Sequence, residues 1–213
     1  MKSFRKFMRR MPFYSAYKSL FHYPDYWYWR LRPHPKRSPH LVKQRALLEY
    51  AERYGLRTLV ETGTYYGEMV AALRNKFDRV DSVESVPDLA RAATRKFEPY
   101  ANVRIFEGES QNVIPEILQS LIAPALFWLD AGYYTWDGLD RNKQRLAMEL
   151  EAILSQSASG HVVLIDDAGT LKFRIGENPE PSNVGELQKN LSTAFPARHV
   201  EIRNDIVRIT PKS

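Results

Sequence analysis

Ten residues, Thr-Leu-Val-Glu-Thr-Gly-Thr-Tyr-Tyr-Gly at 58–67, constrain this chain more than any others. A short apolar run closes on an acid, Glu61. A glycine turn carrying Gly63 and Thr64 follows, and a helical pattern begins after Gly67. The next strand-like run, 79–84, closes on a second acid, Glu84. This is the strand–turn–helix–strand order of an α/β domain that holds a nucleoside. Gly63 permits the tight turn, and Gly67 is expected to let the next helix approach the strand closely. An acid at the end of the second strand can accept hydrogen bonds from both hydroxyls of a ribose.

The glycines are spaced G-x-x-x-G, so the dinucleotide fingerprint G-x-G-x-x-G is absent, and so is a lysine-bearing phosphate loop. The turn offers no purpose-built pyrophosphate cradle. A cofactor with adenine and ribose but no phosphates fits better, which points to S-adenosylmethionine.

Strand and helix patterns alternate from Ser38 onward. A helix is expected at 41–54, with Leu47, Tyr50, Ala51 and Tyr54 on one face and Gly55 as its stop. Strands are expected at 57–62, 79–84, 102–106, 125–130 and 161–166. The helices between them carry Tyr66, Met69, Val70, Leu73 and Phe77, then Leu89, Ala92, Ala93 and Phe97, then Val113, Ile117, Leu118 and Leu121. A long helix is expected at 139–156, a loop at 168–182, and a helix at 183–194 burying Val184, Leu187 and Leu191. The chain closes in a hairpin around Asn204-Asp205. Alternating β and α with near-continuous apolar strands predicts an α/β fold, with a mostly parallel sheet covered on both faces and an antiparallel last strand.

Charge divides the 213 residues in two. Residues 1–40 hold ten Lys or Arg against one acid, Asp25, so the remaining residues carry 21 bases and 24 acids. The overall +6 therefore belongs to the beginning of the chain. Residues 1–37 form a basic aromatic arm that includes Tyr26, Trp27, Tyr28 and Trp29, and 38–213 form the cofactor domain. Basic and aromatic residues together suit a membrane interface, so peripheral membrane contact through 1–37 is one expectation; packing back onto the domain is the other. The slightly acidic domain argues against nucleic acid. The absence of Cys fits a reducing, cytoplasmic compartment. The pattern carries no signature of oligomeric state.

Ligands of such sheets sit beyond the carboxyl ends of the strands. Acids occur there repeatedly: Glu61, Glu84, Gly108-Glu109-Ser110, Asp130 and Asp166-Asp167. If the fourth and fifth strands are neighbours, Asp130, Asp166 and Asp167 converge into a set suited to Mg²⁺, which could hold a substrate hydroxyl and lower its pKa. The competing reading makes Asp167 a turn cap and Asp166 a backbone acceptor. Among the five histidines, His40 is the best candidate base, because it stands at the entrance to the domain. Tyr133, Tyr134 and Trp136 are candidates for the wall of an acceptor pocket.

Four ordered blocks carry a family likeness: Glu61-Thr-Gly-Thr-Tyr-Tyr-Gly, Phe127-Trp-Leu-Asp-Ala, Leu164-Ile-Asp-Asp-Ala and Asn204-Asp-Ile-Val-Arg-Ile-Thr-Pro. Together they resemble class I S-adenosylmethionine-dependent methyltransferases, in particular the macrocin and sugar O-methyltransferase group, over roughly 38–211. The resemblance implies a Rossmann-like, seven-stranded sheet with its last strand antiparallel. It implies that Glu61, Gly63, Thr64 and Gly67 line the methionine end of the cofactor, that Glu84 holds the ribose, and that Gly108, Glu109 and Ser110 meet the adenine. It places Asp130 beside both cofactor and acceptor, and it makes Asp130, Asp166 and Asp167 the catalytic acids and the ligands of any divalent ion. The acceptor implied is the hydroxyl of a sugar or other small molecule. Gly132 and Gly169 stand where relatives carry an acid or His and an Arg, so the usual general base is missing from its place.

Overall fold

The computed structural model describes residues 24, 26–31, 38–130, 139–155, 160–171, 175, 178 and 180–212, with backbone alone at 139–144. Helix α1 (His40–Arg53) leads into β1 (Thr58–Thr62), α2 (Glu68–Leu73), β2 (Arg79–Glu84), α3 (Pro87–Phe97) and β3 (Val103–Glu107). Then come α4 (Ser110–Gln119), β4 (Leu126–Leu129), α5 (Leu139–Leu154), β5 (Val162–Ile165), a 3₁₀ turn at Ala168–Thr170, α6 (Val184–Ala194), β6 (Arg198–Arg203) and β7 (Ile206–Pro211).

The strands form one sheet in the order β3-β2-β1-β4-β5-β7-β6. Strands β1 to β5 pair in parallel, and β7 runs antiparallel between β5 and β6. Leu-Phe-Trp-Leu of β4 and Val-Val-Leu-Ile of β5 are wholly buried, as central strands covered on both faces must be. Alternate residues serve opposite faces. Phe127, Leu129, Val163 and Ile165 pack with Ile114, Leu146, Leu150 and Leu191 of α4, α5 and α6. Leu126, Trp128, Val162 and Leu164 pack with Leu47, Met69, Leu73 and Phe97 of α1, α2 and α3. The hairpin turns on Asn204 and Asp205, both with positive φ, the pairing a two-residue type I′ loop requires.

Some expected contacts differ. In α3 the buried stripe is Ala90, Ala93 and Phe97; Leu89 is half-buried and Ala92 exposed. Pro87 opens the helix, and the 3.6-residue repeat from Phe97 back through Ala93 reaches Ala90 rather than Leu89. Leu118 and Leu121 reach only the margin of the core, where Ile114 sits fully buried. Val184 is exposed in the first turn of α6, and Asn183 caps that helix by accepting from the Glu186 N–H at 3.0 Å. The second helix starts only at Glu68, so Tyr66 lies in the loop before it and Phe77 beyond its end.

Among the described residues of the arm, 26–30 are helical. Tyr26 lies under the Arg45 guanidinium of α1, 4.6 Å from ring centroid to cation. Trp27 and Tyr28 are 56% and 59% exposed. Among the described arm residues, Tyr26 meets α1 while Trp27 and Tyr28 are exposed. No helix among the described residues is long and apolar enough to cross a membrane.

Candidate active site

The chain runs outward from β1 to β2 and β3, then reverses to β4 and β5 on the other side. The crevice between β1 and β4 is therefore the switch point where α/β sheets bind ligands. A cleft of about 280 Å³ opens there, lined by His40, Lys43, Glu61, Gly63–Met69 except Gly67, and Asp130.

The β1 side is built around Glu61. Its register neighbour on β2 is Ser82, whose hydroxyl donates to the Glu61 carboxylate. Thr64 and Ser82 share a further hydroxyl hydrogen bond of 2.6 Å. Gly63 and Thr64 donate their backbone N–H groups to the Val83 carbonyl at 2.9 and 3.2 Å, which fastens the turn to the end of β2. Gly63 takes φ 87°, a conformation glycine adopts without steric cost. Gly67 serves a different purpose from the one expected. It is left-handed at φ 66°, and a Cβ there would stand 2.4 Å from the Phe97 ring, so it admits α3 rather than bringing its own helix onto the strand.

Glu61 is 2% exposed, and no cation among the described residues reaches it. Burial raises its carboxyl to about 8; the Ser82 hydrogen bond opposes the rise, and the charges of Asp130 and Glu84 add to it. At neutral pH it stays mostly protonated until something cationic arrives. Glu84 ends β2 as expected. Its two oxygens accept the backbone N–H groups of Tyr65 at 2.7 Å and Val86 at 2.9 Å, which fixes the carboxylate at the rim of the turn with lone pairs to spare.

The expected adenine side follows β3. Ser110 is buried and donates its hydroxyl to Glu149 of α5, while Glu109 pairs with Arg145 at 3.1 Å. Gly108 donates its N–H to the Glu84 carbonyl at 2.9 Å. The Ser110 hydroxyl is thus spent on joining α4 to α5.

The β4–β5 side depends on register. Leu129 pairs with Ile165, so the next residues, Asp130 and Asp166, emerge side by side. Their N–H groups continue the ladder, to the Thr62 and Leu129 carbonyls, both at 3.1 Å. Asp167 follows in a left-handed conformation, φ 53°, before the 3₁₀ turn. Gly169 donates its N–H to the Asp205 carboxylate at 2.6 Å, so the hairpin carboxylate meets backbone there. Gly132, Tyr133, Tyr134 and Trp136 lie outside the described residues.

Into this group of acids comes Lys43 of α1, which the sequence reading passed over. Its ammonium forms an ion pair with Asp166 Oδ2. Lys43 is 18% exposed and Asp166 3%. Burial works to lower the lysine's pKa, but the charges of Asp166, Asp130 and Asp167 outweigh it and the net direction is up. The lysine stays charged. Burial raises Asp130 to about 8, with Asp166 adding to the rise and Lys43 opposing it. Asp166 is also raised by burial, against the pull of Lys43. The two adjoining carboxyls titrate as a coupled pair, with Lys43 favouring the ionised form on the Asp166 side.

The signal for Lys43 was present in the sequence. Residues 43, 47, 50 and 54 form one helical stripe, so a lysine continues the face of Leu47 and Tyr50. Those two are fully buried, roughly 1.5–3 kcal/mol each for large apolar side chains, enough to hold α1 in place and direct its first turn at the cleft. His40, one turn earlier, lines the same cleft and pairs with Gln44 at 3.0 Å. His161, in contrast, is structural. Its Nδ1 accepts the Ala125 N–H at 3.0 Å, and burial with Arg198 nearby lowers it to about 4.

The expected metal set does not form. No group of three or more His, Asp or Glu among the described residues is placed to hold a metal ion. A resident ammonium already takes one oxygen of Asp166, and Mg²⁺ requires oxygens on all sides with no like charge beside them. The residues present do not fit a divalent cation. They do fit S-adenosylmethionine: a buried acid without a cation, a fixed acid at the end of β2, and a turn without phosphate-binding side chains.

No protein-family model matches this chain, and no curated protein sequence does. Solved structures do. The methyltransferase PaMTH1 of Podospora anserina, bound to S-adenosylhomocysteine, is similar with a TM-score of 0.55 and 18% identity, over 89% of this chain and 87% of that one. An O-methyltransferase of Bacillus cereus in complex with S-adenosylhomocysteine gives 0.54 and 18%, over 83% and 84%. The N-methyltransferase NodS of Bradyrhizobium japonicum gives 0.51 and 13%, over 81% and 96%. At such identities the likeness speaks to the fold. This chain has the Rossmann-like fold of class I S-adenosylmethionine-dependent methyltransferases.

Proposed function

We propose that this protein is an S-adenosylmethionine-dependent methyltransferase that acts on a hydroxyl oxygen of a small molecule. The observation that carries the reading is the convergence of Glu61 and Asp130, from adjacent strands, on one cleft at the switch point, with Glu84 fixed at the end of the next strand.

S-adenosylmethionine supplies a methyl group made electrophilic by its positive sulfur. Glu84 is placed to accept the ribose hydroxyls, and Glu61 to ionise against the methionine ammonium. Glu109 lies toward the adenine side, with Ser110 setting the position of α4 behind it. Asp130 holds the acceptor at the mouth of the cleft and takes the proton its hydroxyl gives up. A carboxylate whose affinity for a proton is centred near pH 8 is a far better base at neutral pH than an ordinary aspartate. The oxygen direction follows from this pairing of an acid that accepts a proton with a cation that can hold an oxyanion.

Calorimetric titration tests the reading. Wild-type protein should bind both S-adenosylmethionine and S-adenosylhomocysteine at micromolar levels. Glu84→Ala should weaken both by roughly 10–100-fold, the loss of one bidentate charged contact. Absence of binding to either by the wild type would overturn the assignment.

For the arm, we propose contact with an anionic membrane surface. Trp27, Tyr28 and the 81% exposed Leu31 stand out from the domain in a stretch of chain carrying ten basic residues.

A further inference from the structure

We propose that the ammonium group of Lys43 is the built-in cation of the acceptor site. It takes the place a divalent ion would fill among Asp130, Asp166 and Asp167, and it holds the acceptor oxygen beside Asp130. The identity of the acceptor as a hydroxyl rests on the methyltransferase reading; the role of Lys43 as resident cation does not.

Four observations converge. Lys43 is salt-bridged to Asp166, which follows β5 123 residues further along the chain, so the pair exists only because the fold makes it. Lys43 also lines the same cleft as Glu61 and Asp130, so the ammonium is reachable by a ligand there. An ammonium has three N–H donors, and Asp166 is its one hydrogen-bond acceptor among the described residues. Asp130 emerges beside Asp166 at the end of the neighbouring strand and lines the same cleft, so a carboxyl stands next to the ammonium to receive a proton. A hydroxyl suits both groups at once. Its oxygen accepts from Lys43, and its proton is offered to the carboxylates. As the proton passes to Asp130 and the oxygen becomes more negative, the fixed positive charge gains strength where charge develops.

A strip of acids with no cation would repel such an oxyanion. Metal-using enzymes solve this with a divalent ion, which must be recruited from solution. Here α1 delivers the charge covalently, pinned by Leu47 and Tyr50 behind it. Lysine is a compact point charge suited to the task.

Mn²⁺ binding followed by electron paramagnetic resonance tests this on the full chain, with S-adenosylhomocysteine titration alongside. Wild type should show no Mn²⁺ binding below the millimolar range. Lys43→Ala removes the resident charge and opens space among the carboxylates, so it should bind Mn²⁺ roughly tenfold or more tightly than wild type. Adding Asp166→Asn should abolish the gain, and Lys43→Arg should not show it. An unchanged circular-dichroism spectrum of Lys43→Ala shows that the variant is folded. Stoichiometric Mn²⁺ binding by the wild type, or a Lys43→Ala variant no better than wild type, would overturn the proposal. Failure of the wild type to bind S-adenosylhomocysteine would sink the methyltransferase reading, while the Mn²⁺ comparison would still decide the role of Lys43.

Discussion

Replacing Glu61 by Gln separates the cost of a buried acid from its use. The glutamine keeps the size of the side chain and a hydrogen-bond acceptor for Ser82, but it cannot ionise. In the wild type the carboxyl titrates at about 8 when folded and near its ordinary 4.5 when unfolded. Below pH 4.5 both states hold the proton and the residue adds no pH dependence. Above it the unfolded chain sheds the proton first, so the folded state loses about 1.4 kcal/mol per pH unit, reaching about 5 kcal/mol once pH passes 8. Glu61→Gln lacks this loss. For a chain of this size, 1 kcal/mol moves Tm by roughly 2–4 °C, so at pH 9 the variant should melt about 10–20 °C above the wild type. At pH 4.5 the two should coincide. Thermal unfolding by circular dichroism at intervals from pH 4.5 to 9 gives the comparison directly. Parallel Tm curves for the two proteins would show that Glu61 ionises freely in the fold, and the argument from its burial would fail. The same variant should bind S-adenosylmethionine at least about tenfold more weakly at pH 8, because a neutral amide cannot balance an ammonium.

On any acceptor found by screening phenols and sugars, the rate should rise with pH and level off above about 8, as Asp130 loses its proton; Asp130→Asn should cost about 10²–10⁴-fold in turnover, and a pH-independent wild-type rate would refute the assignment of the base. The full-length protein should co-sediment with anionic vesicles and a chain lacking 1–37 should not, with equal sedimentation of both disposing of the membrane contact.

The architecture was readable because its signals are local. Four-residue runs such as Leu-Phe-Trp-Leu and Val-Val-Leu-Ile admit few roles other than central strands, and the Asn-Asp pair admits few other than a hairpin turn. That the acids at the ends of those runs share one edge was readable for the same reason: a parallel sheet brings its carboxyl ends together, whatever the strand order. What could not be read was which charges meet. Asp130 and Asp166 were correctly placed next to each other, yet their partner was assigned to a metal because Lys43 belongs to a helix that precedes the sheet. Sequence distance hides that contact, and only the burial of Leu47 and Tyr50 fixes the azimuth of α1. Ser110 shows the same limit: the resemblance set it at the adenine, while its hydroxyl meets a buried glutamate from an element far along the chain, a contact no local pattern announces.

Taken together, the charges of the cleft make its protonation state depend on what it holds. Without a ligand, Glu61 and Asp130 both retain protons near neutrality, because burial beside other acids leaves no room for more negative charge. A cationic cofactor relieves the β1 side and draws Glu61 into ionised form. That new anion lies close enough to Asp130 to act on it, since Asp130 already contributes to the raised pKa of Glu61. Loading the cofactor would then make Asp130 hold its proton more tightly, were it not for the positive charge the cofactor itself brings toward the acceptor. On the β5 side Lys43 pairs with Asp166 and opposes the rise of both carboxyls, so Asp130 can serve as a base in the fraction of molecules in which it has lost its proton, a fraction that grows as pH rises toward 8. One lysine among these acids thus assigns them distinct roles: Glu61 for the cofactor, Asp166 for the cation, Asp130 for the proton.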